Sequence, residues 1–499
     1  MVEHVEHLDV VIVGAGLSGI GAAWHLRDAF PGKSYALLES RQAMGGTWDL
    51  FRYPGVRSDS DMHTLGYRFR PWLDAKAIAD GPSILSYIRA TAEEAGIDKH
   101  IRYGHKVTAA SWSTEDALWT VEAVTETGDV KRFTCGFLLC CSGYYRYDRG
   151  FTPEFPGAED FAGTIVHPQK WPEDLDHTGK NVVVIGSGAT AVTLVPAMAA
   201  DAAHVTMVQR SPTYIVALPS KDAIANRLRS VLGPRRAYGV TRWKNALMQI
   251  VTYQLSRRRP DVVRRLLRKL TIKALPPGFD VDTHFNPVYN PWDQRLCVVP
   301  DGDLFRVLAR GEASIVTDKI TRFDATGVQL ESGTHLDADV IVTATGLDLQ
   351  VFGGATLTVD GEPVEVSKAL TYKGMMLADV PNFAFTIGYT NASWTLKADL
   401  VSEFVVRVMK HMTATGKRIA VPVNDDPTLE RRPLLDFAAG YVQRALHRLP
   451  QAGSRKPWQM GMSYVHDVVA LRHGPLDDGA MRFTDPVAAR SSVGATEAG

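Results

Sequence analysis

The sequence predicts an α/β fold: two Rossmann-like dinucleotide-binding domains, the second carrying an inserted helical subdomain. Three observations carry this. The apolar run Leu8–Val13 leads into Gly14-Ala-Gly16-Leu-Ser18-Gly19, and the run Asn181–Ile185 leads into Gly186-Ser187-Gly188-Ala189-Thr190-Ala191. Each copy later closes on an apolar strand ending at glycine, Phe137–Gly143 in the first and Asp339–Gly346 in the second, a duplication at domain scale. Inside the second copy, residues 214–290 turn helical and basic.

A chain of 499 residues is too long for one core, so several domains are expected. Formal net charge is zero, which provides no global field for nucleic acid. Cys135, Cys140, Cys141 and Cys297 form no Cys-x-x-Cys pair, as expected for a reducing compartment and against a dithiol redox enzyme. The first apolar run is short and meets glycines at once, so it reads as a strand rather than a signal peptide or membrane span. A cytoplasmic location is expected.

Taken in order, the first domain is expected over residues 1–145. A helix follows the first loop from about Ile20 to Phe30, and the strand Tyr35–Leu38 ends on Glu39, completing a βαβ unit. Residues 40–65 are rich in Gly, Pro, Arg and Asp with little periodicity, a polar loop beside a ligand or plainly on the surface. Pro82–Ala95 has amphipathic helical spacing, and Lys106–Thr125 alternates as antiparallel strands. The second domain is expected over 146–213 and 293–370, interrupted by the helical insertion at 214–292. The chain then returns to the first domain over 371–485, and the Ala/Ser/Gly-rich tail 486–499 is expected to be disordered. The insertion carries Arg227, Arg229, Arg235, Arg236, Arg257, Arg258, Arg259, Arg264, Arg265, Arg268 and Lys269. A solvated face is the plain reading, and peripheral membrane or interface contact is the sharper one.

The two loops suggest their ligands. Gly14 permits the tight turn, Gly16 lets the backbone approach a pyrophosphate at a helix N-terminus, and Gly19 allows close helix packing. Glu39 suits the hydroxyls of an unphosphorylated ribose, hence FAD or NAD; a purely structural βα turn is the alternative. The second loop ends in Ala191, and its following strand ends Gln209-Arg210-Ser211 rather than in an acid. Arginine and a hydroxyl there suit a 2′-phosphate, hence NADPH; an arginine simply capping a strand end is the alternative. Two such sites imply electrons passing from NADPH to a flavin. Cys140 and Cys141 read as core, so molecular oxygen is the remaining common acceptor.

Three stretches then carry a resemblance. Phe161-Ala-Gly163-Thr-Ile-Val-His167-Pro-Gln-Lys-Trp171-Pro172 reads Phe-x-Gly-x-x-x-His-x-x-x-Trp-Pro. Gly45-Gly46-Thr47-Trp48 runs on through Tyr53-Pro54-Gly55 to Asp59, and Ala344-Thr345-Gly346 follows the later strand. On these stretches the chain resembles the type I Baeyer–Villiger flavin monooxygenases over nearly its whole length. Flavin-containing heteroatom monooxygenases share both loops but usually lack the Trp171-Pro172 pair, and are the alternative.

The resemblance implies FAD, NADPH and O2, with a ketone converted to an ester or lactone by way of a C4a-peroxyflavin. It also implies sulfoxidation of thioethers and thioamide prodrugs as a side activity. Neither metal nor nucleic acid is implied. The essential arginine maps onto Arg295 and its orienting carboxylate onto Asp59. An anionic oxygen needs a cation that cannot lose its proton, which favours arginine; a partly buried ion pair is the plain alternative for Arg295. Thr47, Trp48, Asp49, Leu50 and the segment Tyr53–Arg57 with Ser58 would line the isoalloxazine and nicotinamide, and Val107 the adenine. Many members carry lysine where this chain has Gln294, so discrimination for NADPH leans on Arg210. Gly388–Trp394 precedes a helix whose N-terminal amides, near Asn391 and Ser393, would stabilise reduced flavin. His167 is expected to hydrogen-bond across the linker rather than to react, with Phe161 and Trp171 as packed anchors.

Overall fold

The structure, a computed structural model, describes residues 5–294, 296–435 and 437–486. Arg295 and nearly all of the tail expected at 486–499 lie outside the described residues.

Glu6–Val13 is apolar on both faces from Val10 onward and lies inside the first sheet, parallel to Tyr35–Leu38 on one side and to Val130–Cys140 on the other. Helix α1, Leu17–Ala29, begins directly after the first glycine loop. Lys106–Ser113 and Leu118–Val124 bury alternate residues and pair antiparallel, the expected meander.

One boundary differs from the sequence reading. Thr356–Val359 pairs in parallel with Lys106–Ser113, placing Leu357 opposite Ala110, so the chain rejoins the first sheet before 371. Leu357 is 3% exposed and packs in the core formed by Trp112 and Trp119. That burial fixes the strand in the first sheet.

The second sheet is wholly parallel, in the order Ala313–Thr317, His204–Gln209, Asn181–Ile185, Val340–Thr343, Thr164–Val166. Helix α2, Ala189–Met198, follows its glycine loop. The stretch 161–172 is therefore not a free linker, because Thr164–Val166 forms the edge strand of this sheet. Phe161 is buried with Phe323 and Ile341, and Trp171 packs on the core of the same unit.

The insertion contains helices α3, Ala223–Leu232, α4, Pro234–Arg258, and α5, Pro260–Ala274, above a parallel pair of strands, Ile215–Leu218 and Cys297–Pro300. It is not self-contained. Arg242 of α4 donates to the carbonyls of His63 (3.0 Å), Thr64 (3.1 Å) and Gly66 (2.6 Å). It also pairs with Asp399 at 3.0 Å, on helix α6, Trp394–Thr415. Asn245 adds a bond to Asp61 at 2.8 Å. Thus α4 is fastened to the first unit beside the short helix Met62–Leu65.

Among the described residues all four cysteines are buried and none is joined in a disulfide. Cys135 and Cys140 share one strand and stand roughly 16 Å apart along it, beyond disulfide reach. Burial pushes the thiols of Cys135 and Cys141 up to about 12.

Candidate active site

A cavity of about 1300 Å³ runs past both glycine loops. Of the expected residues it touches Gly14, Gly16, Ser18, Glu39, Thr47, Trp48, Leu50, Arg57, Ser58, Asp59 and Val107 from the first unit. From the second it touches Gly186, Ser187, Gly188, Ala189, Thr190, Arg210 and Ser211.

Backbone geometry builds the first end. Gly14 has φ +97°, and a Cβ there would meet Cys141 O at 2.9 Å. A Cβ on Gly16 would lie 3.4 Å from Gly46 Cα, so two loops approach backbone to backbone. Glu39 accepts from the amides of Ala15 (2.8 Å) and Arg41 (3.0 Å). Burial raises its pKa above the usual carboxylate value despite these bonds. Ser18 Oγ accepts the Trp394 indole N–H at 2.7 Å, joining the loop to the start of α6. Gly19 does not face the cavity, as its packing role predicts.

The side chains of three of the expected residues are engaged by protein rather than set on the cavity wall. Asp49 is 1% exposed and pairs with Arg41 (2.7 Å), Arg52 (3.3 Å) and Arg89 (3.1 Å); three cations claim its carboxylate, which holds the loop and does not touch the cavity. Ala191 is fully buried in the packing face of α2. Asn391 turns its amide to Met462 O at 3.0 Å, and its neighbours Ala392 and Trp394 line the cavity instead. Ser393 N is met by Gln249 Oε1 at 3.4 Å, so that amide is already engaged by α4.

The Tyr53–Arg57 segment crosses between the units. Phe51, Tyr53 and Val56 pack in the core of the second unit. A Cβ on Gly55 would meet Ala197 Cβ at 2.7 Å and Thr193 O at 3.1 Å, both on α2. Thr190 hydrogen-bonds the Tyr53 hydroxyl, whose burial pushes its pKa up to about 12. Arg57 pairs with Asp303 of the second unit. Asp59 follows on the cavity wall. Arg295 lies outside the described residues, while Gln294 and Cys297 beside it in sequence line the cavity.

At the second end, Gly186 has φ +137°, and a Cβ there would strike Ala344 O at 2.4 Å, locking this loop against the Ala344–Gly346 stretch. A Cβ on Gly188 would meet nothing within 4 Å, leaving room for a ligand's close approach. Ser187 Oγ pairs with Thr213 Oγ1 at 2.8 Å. Arg210 is exposed on the cavity wall, and Lys170 and Lys319 line the same cavity.

His167 is positioned from both ring nitrogens. Gln169 N–H donates to Nδ1 at 3.2 Å, which leaves the proton on Nε2 to reach Gly346 O at 3.2 Å. Burial lowers its pKa, favouring this neutral form. Gly150 makes the space, since a Cβ there would fall 2.0 Å from the ring. Thr345 Oγ1 donates to Phe151 O at 2.6 Å alongside. The His167 and Gly346 stretches are thus joined by hydrogen bonds.

Sequence reasoning missed several wall residues. Tyr145, Tyr147, Tyr389 and Arg444 line the cavity. Burial pushes Tyr147 up to about 12, and its hydroxyl bonds Thr47. The Arg444 guanidinium lies 3.5 Å from the centre of the Phe151 ring. The run Gly143-Tyr-Tyr-Arg-Tyr147 after a buried strand was the available signal for the first two.

The comparisons with known proteins fit this geometry. The family described as flavin-binding monooxygenase-like matches residues 77–420, and the NAD(P)-binding Rossmann-like domain matches residues 12–74. The chain is 57% identical over 479 residues to the FAD-containing monooxygenase EthA of Mycobacterium tuberculosis, covering 96% of this chain and 98% of that one. It is 46% identical over 480 residues to the probable FAD-binding monooxygenase AlmA of Acinetobacter baylyi, covering 96% of each. Among solved structures, oxidized steroid monooxygenase bound to NADP superposes with a TM-score of 0.74 at 22% identity, over 96% of this chain and 100% of that one. The open structure of cyclohexanone monooxygenase gives 0.71 at 20% identity, over 84% and 91%. A chain with two glycine loops on one cavity, matched over most of its length by this family, belongs to the flavin-binding monooxygenases and is itself a flavoprotein monooxygenase.

Proposed function

We propose that the protein is an FAD-dependent, NADPH-consuming Baeyer–Villiger monooxygenase that sets one oxygen of O2 beside a ketone carbonyl, giving an ester or lactone. Thioether and thioamide sulfoxidation is its side activity. One observation carries the reading: a single cavity joins both nucleotide loops to the wall bearing Asp59. Two cofactors and a substrate can therefore meet in one chamber.

The residues fit the groups. Gly14, Gly16 and Ser18 would hold the FAD pyrophosphate at the start of α1, Glu39 its ribose, and Thr47, Trp48 and Leu50 its ring. Gly186 to Thr190 would hold the NADPH pyrophosphate, with Arg210 and Ser211 on the 2′-phosphate. Bound FAD, once reduced by NADPH, supplies the oxygen-activating chemistry. By the resemblance, Arg295 would supply a permanent cation for the anionic oxygen developing at the carbonyl, and the Asp59 carboxylate would orient it. Trp48, Tyr145 and Tyr147 line the same cavity with aromatic rings. The bonded stretches at His167 and Gly346 would set how the two units approach.

Product analysis on linear ketones, phenyl ketones and thioethers tests this. Wild type is expected to form esters, and Arg295→Ala to lose about 100-fold or more of that conversion while retaining its flavin. Wild type leaving every ketone untouched while oxidising thioethers would instead establish heteroatom oxygenation, the second reading, which the matched family description also accommodates. Arg210→Ala is expected to lower the NADPH-over-NADH preference by roughly 10- to 100-fold, the worth of a charge-assisted contact of about 1.5–3 kcal/mol. An unchanged ratio in steady-state kinetics would remove Arg210 from coenzyme recognition.

A further inference from the structure

The insertion presents an outer surface unlike the rest of the chain. Between residues 223 and 274 the sequence holds fourteen Arg and Lys against Asp261 alone, in a protein of zero formal net charge. The remainder is correspondingly acidic. On α4, Trp243, Leu247 and Val251 recur at helical spacing on the side opposite buried Tyr238 and Arg242. On α5, Val262, Leu266 and Leu270 do the same, about 100° round the helix from buried Val263 and Leu267. These six outward side chains are each 41–60% exposed. Exposed cations lie among them: Arg258, Arg259, Arg265, Lys269 and Lys273.

We propose that this face docks on an anionic lipid surface. A solvated helix face has no use for two outward apolar stripes, which cost free energy in water. A second copy of this chain is a poor occupant. A twofold contact would set the patch against itself and oppose its exposed cations, Arg258, Arg259, Arg265, Lys269 and Lys273, to their own copies. The surface needs a partner both apolar and anionic in one plane, and a bilayer bearing acidic headgroups is that partner. Among the described residues no helix is long and apolar enough to cross a membrane, so α4 and α5 would lie in the interface. The acidic remainder of the molecule would be turned away by the same field. The inner face of α4 grips Met62–Leu65, just beyond Ser58 and Asp59 on the cavity wall. Docking would hold that wall about one helix diameter, ~10 Å, from the lipid. A ketone or thioether dissolved in the bilayer would then have a short path to the site.

Flotation of the full-length holoprotein with vesicles tests the proposal. Phosphatidylcholine alone is compared with phosphatidylcholine and phosphatidylglycerol at roughly 2:1, where binding is expected to be about tenfold tighter or more and to weaken at high salt. The variant Arg258→Gln/Arg259→Gln/Arg265→Gln/Lys269→Gln should lose at least about tenfold on the anionic vesicles. Leu247→Ser/Val251→Ser should weaken binding to the same vesicles at both salt concentrations. Retained flavin absorbance and an unchanged melting temperature show that each variant is folded. Equal binding to both vesicle types by wild type, or binding unchanged in both variants, overturns the proposal. So does a self-associated species in sedimentation velocity that Leu247→Ser/Val251→Ser dissolves while vesicles stay unbound.

Discussion

Asp399→Ala is expected to destabilise the protein by about 3–5 kcal/mol, read by denaturant unfolding, because it strands a charge in the interior. Arg242 and Asp399 are 4% and 2% exposed at their side chains. Asp399 also meets His25 of α1 at 3.4 Å and the amide of Arg68 at 3.1 Å. One carboxylate thereby ties α1, α4 and α6 together. Arg242→Met combined with Asp399→Leu should cost much less than the single variant, since neither charge remains buried. A single variant within about 1 kcal/mol of wild type would show that water reaches the pair. The pH dependence has a defined sign. Burial alone would raise the Asp399 pKa, but His25 and Arg242 outweigh it and hold the carboxyl below its ordinary value. The resulting stability is fully present above the unfolded value of about 4 and is lost as pH falls through the folded value. Asp399→Ala should therefore flatten the acid limb of the stability curve.

Gly19→Ala is expected to yield protein without flavin and without oxygenation activity. A Cβ at residue 19 would sit 1.9 Å from Gly14 O and 3.0 Å from Gly14 C, both backbone. No rotamer change relieves a clash with backbone, so α1 must leave the Gly14 turn. The helix N-terminus then no longer faces the space between Gly14 and Gly16. Gly188→Ala is the contrast, since a Cβ there meets nothing within 4 Å of protein. It should leave the fold and the flavin unchanged and raise the KM for NADPH. Flavin absorbance after gel filtration separates the two; a flavin-replete Gly19→Ala protein would refute the packing argument.

The duplication was legible because strand, glycine loop and helix are local signals, set by backbone sterics within about twenty residues. Both loops, Glu39, Arg210 and the 106–125 meander lie where their local patterns place them. Non-local choices were not legible. Thr356–Val359 is an ordinary β-branched run, and only the gap beside Lys106–Ser113 decides which sheet takes it. Asp49 sits in the right loop for a ligand contact, but Arg89, forty residues on, helps claim its charge. Asn391 illustrates the same point through Met462. The insertion read as a basic helical piece; that its inner side is stitched to residues 61–66 required the folded positions of Arg242 and Asn245.

The crossing of Phe51, Tyr53 and Val56 into the second unit has a consequence for recombination. Residues 51–57 are encoded with the first unit but complete the hydrophobic interior of the other. A chimaera that exchanges the second unit between relatives at its sheet boundaries would separate Tyr53 from Thr190 and Arg57 from Asp303. The modular unit is therefore discontinuous in the gene, and a functional swap must carry this seven-residue plug along with the half it fills.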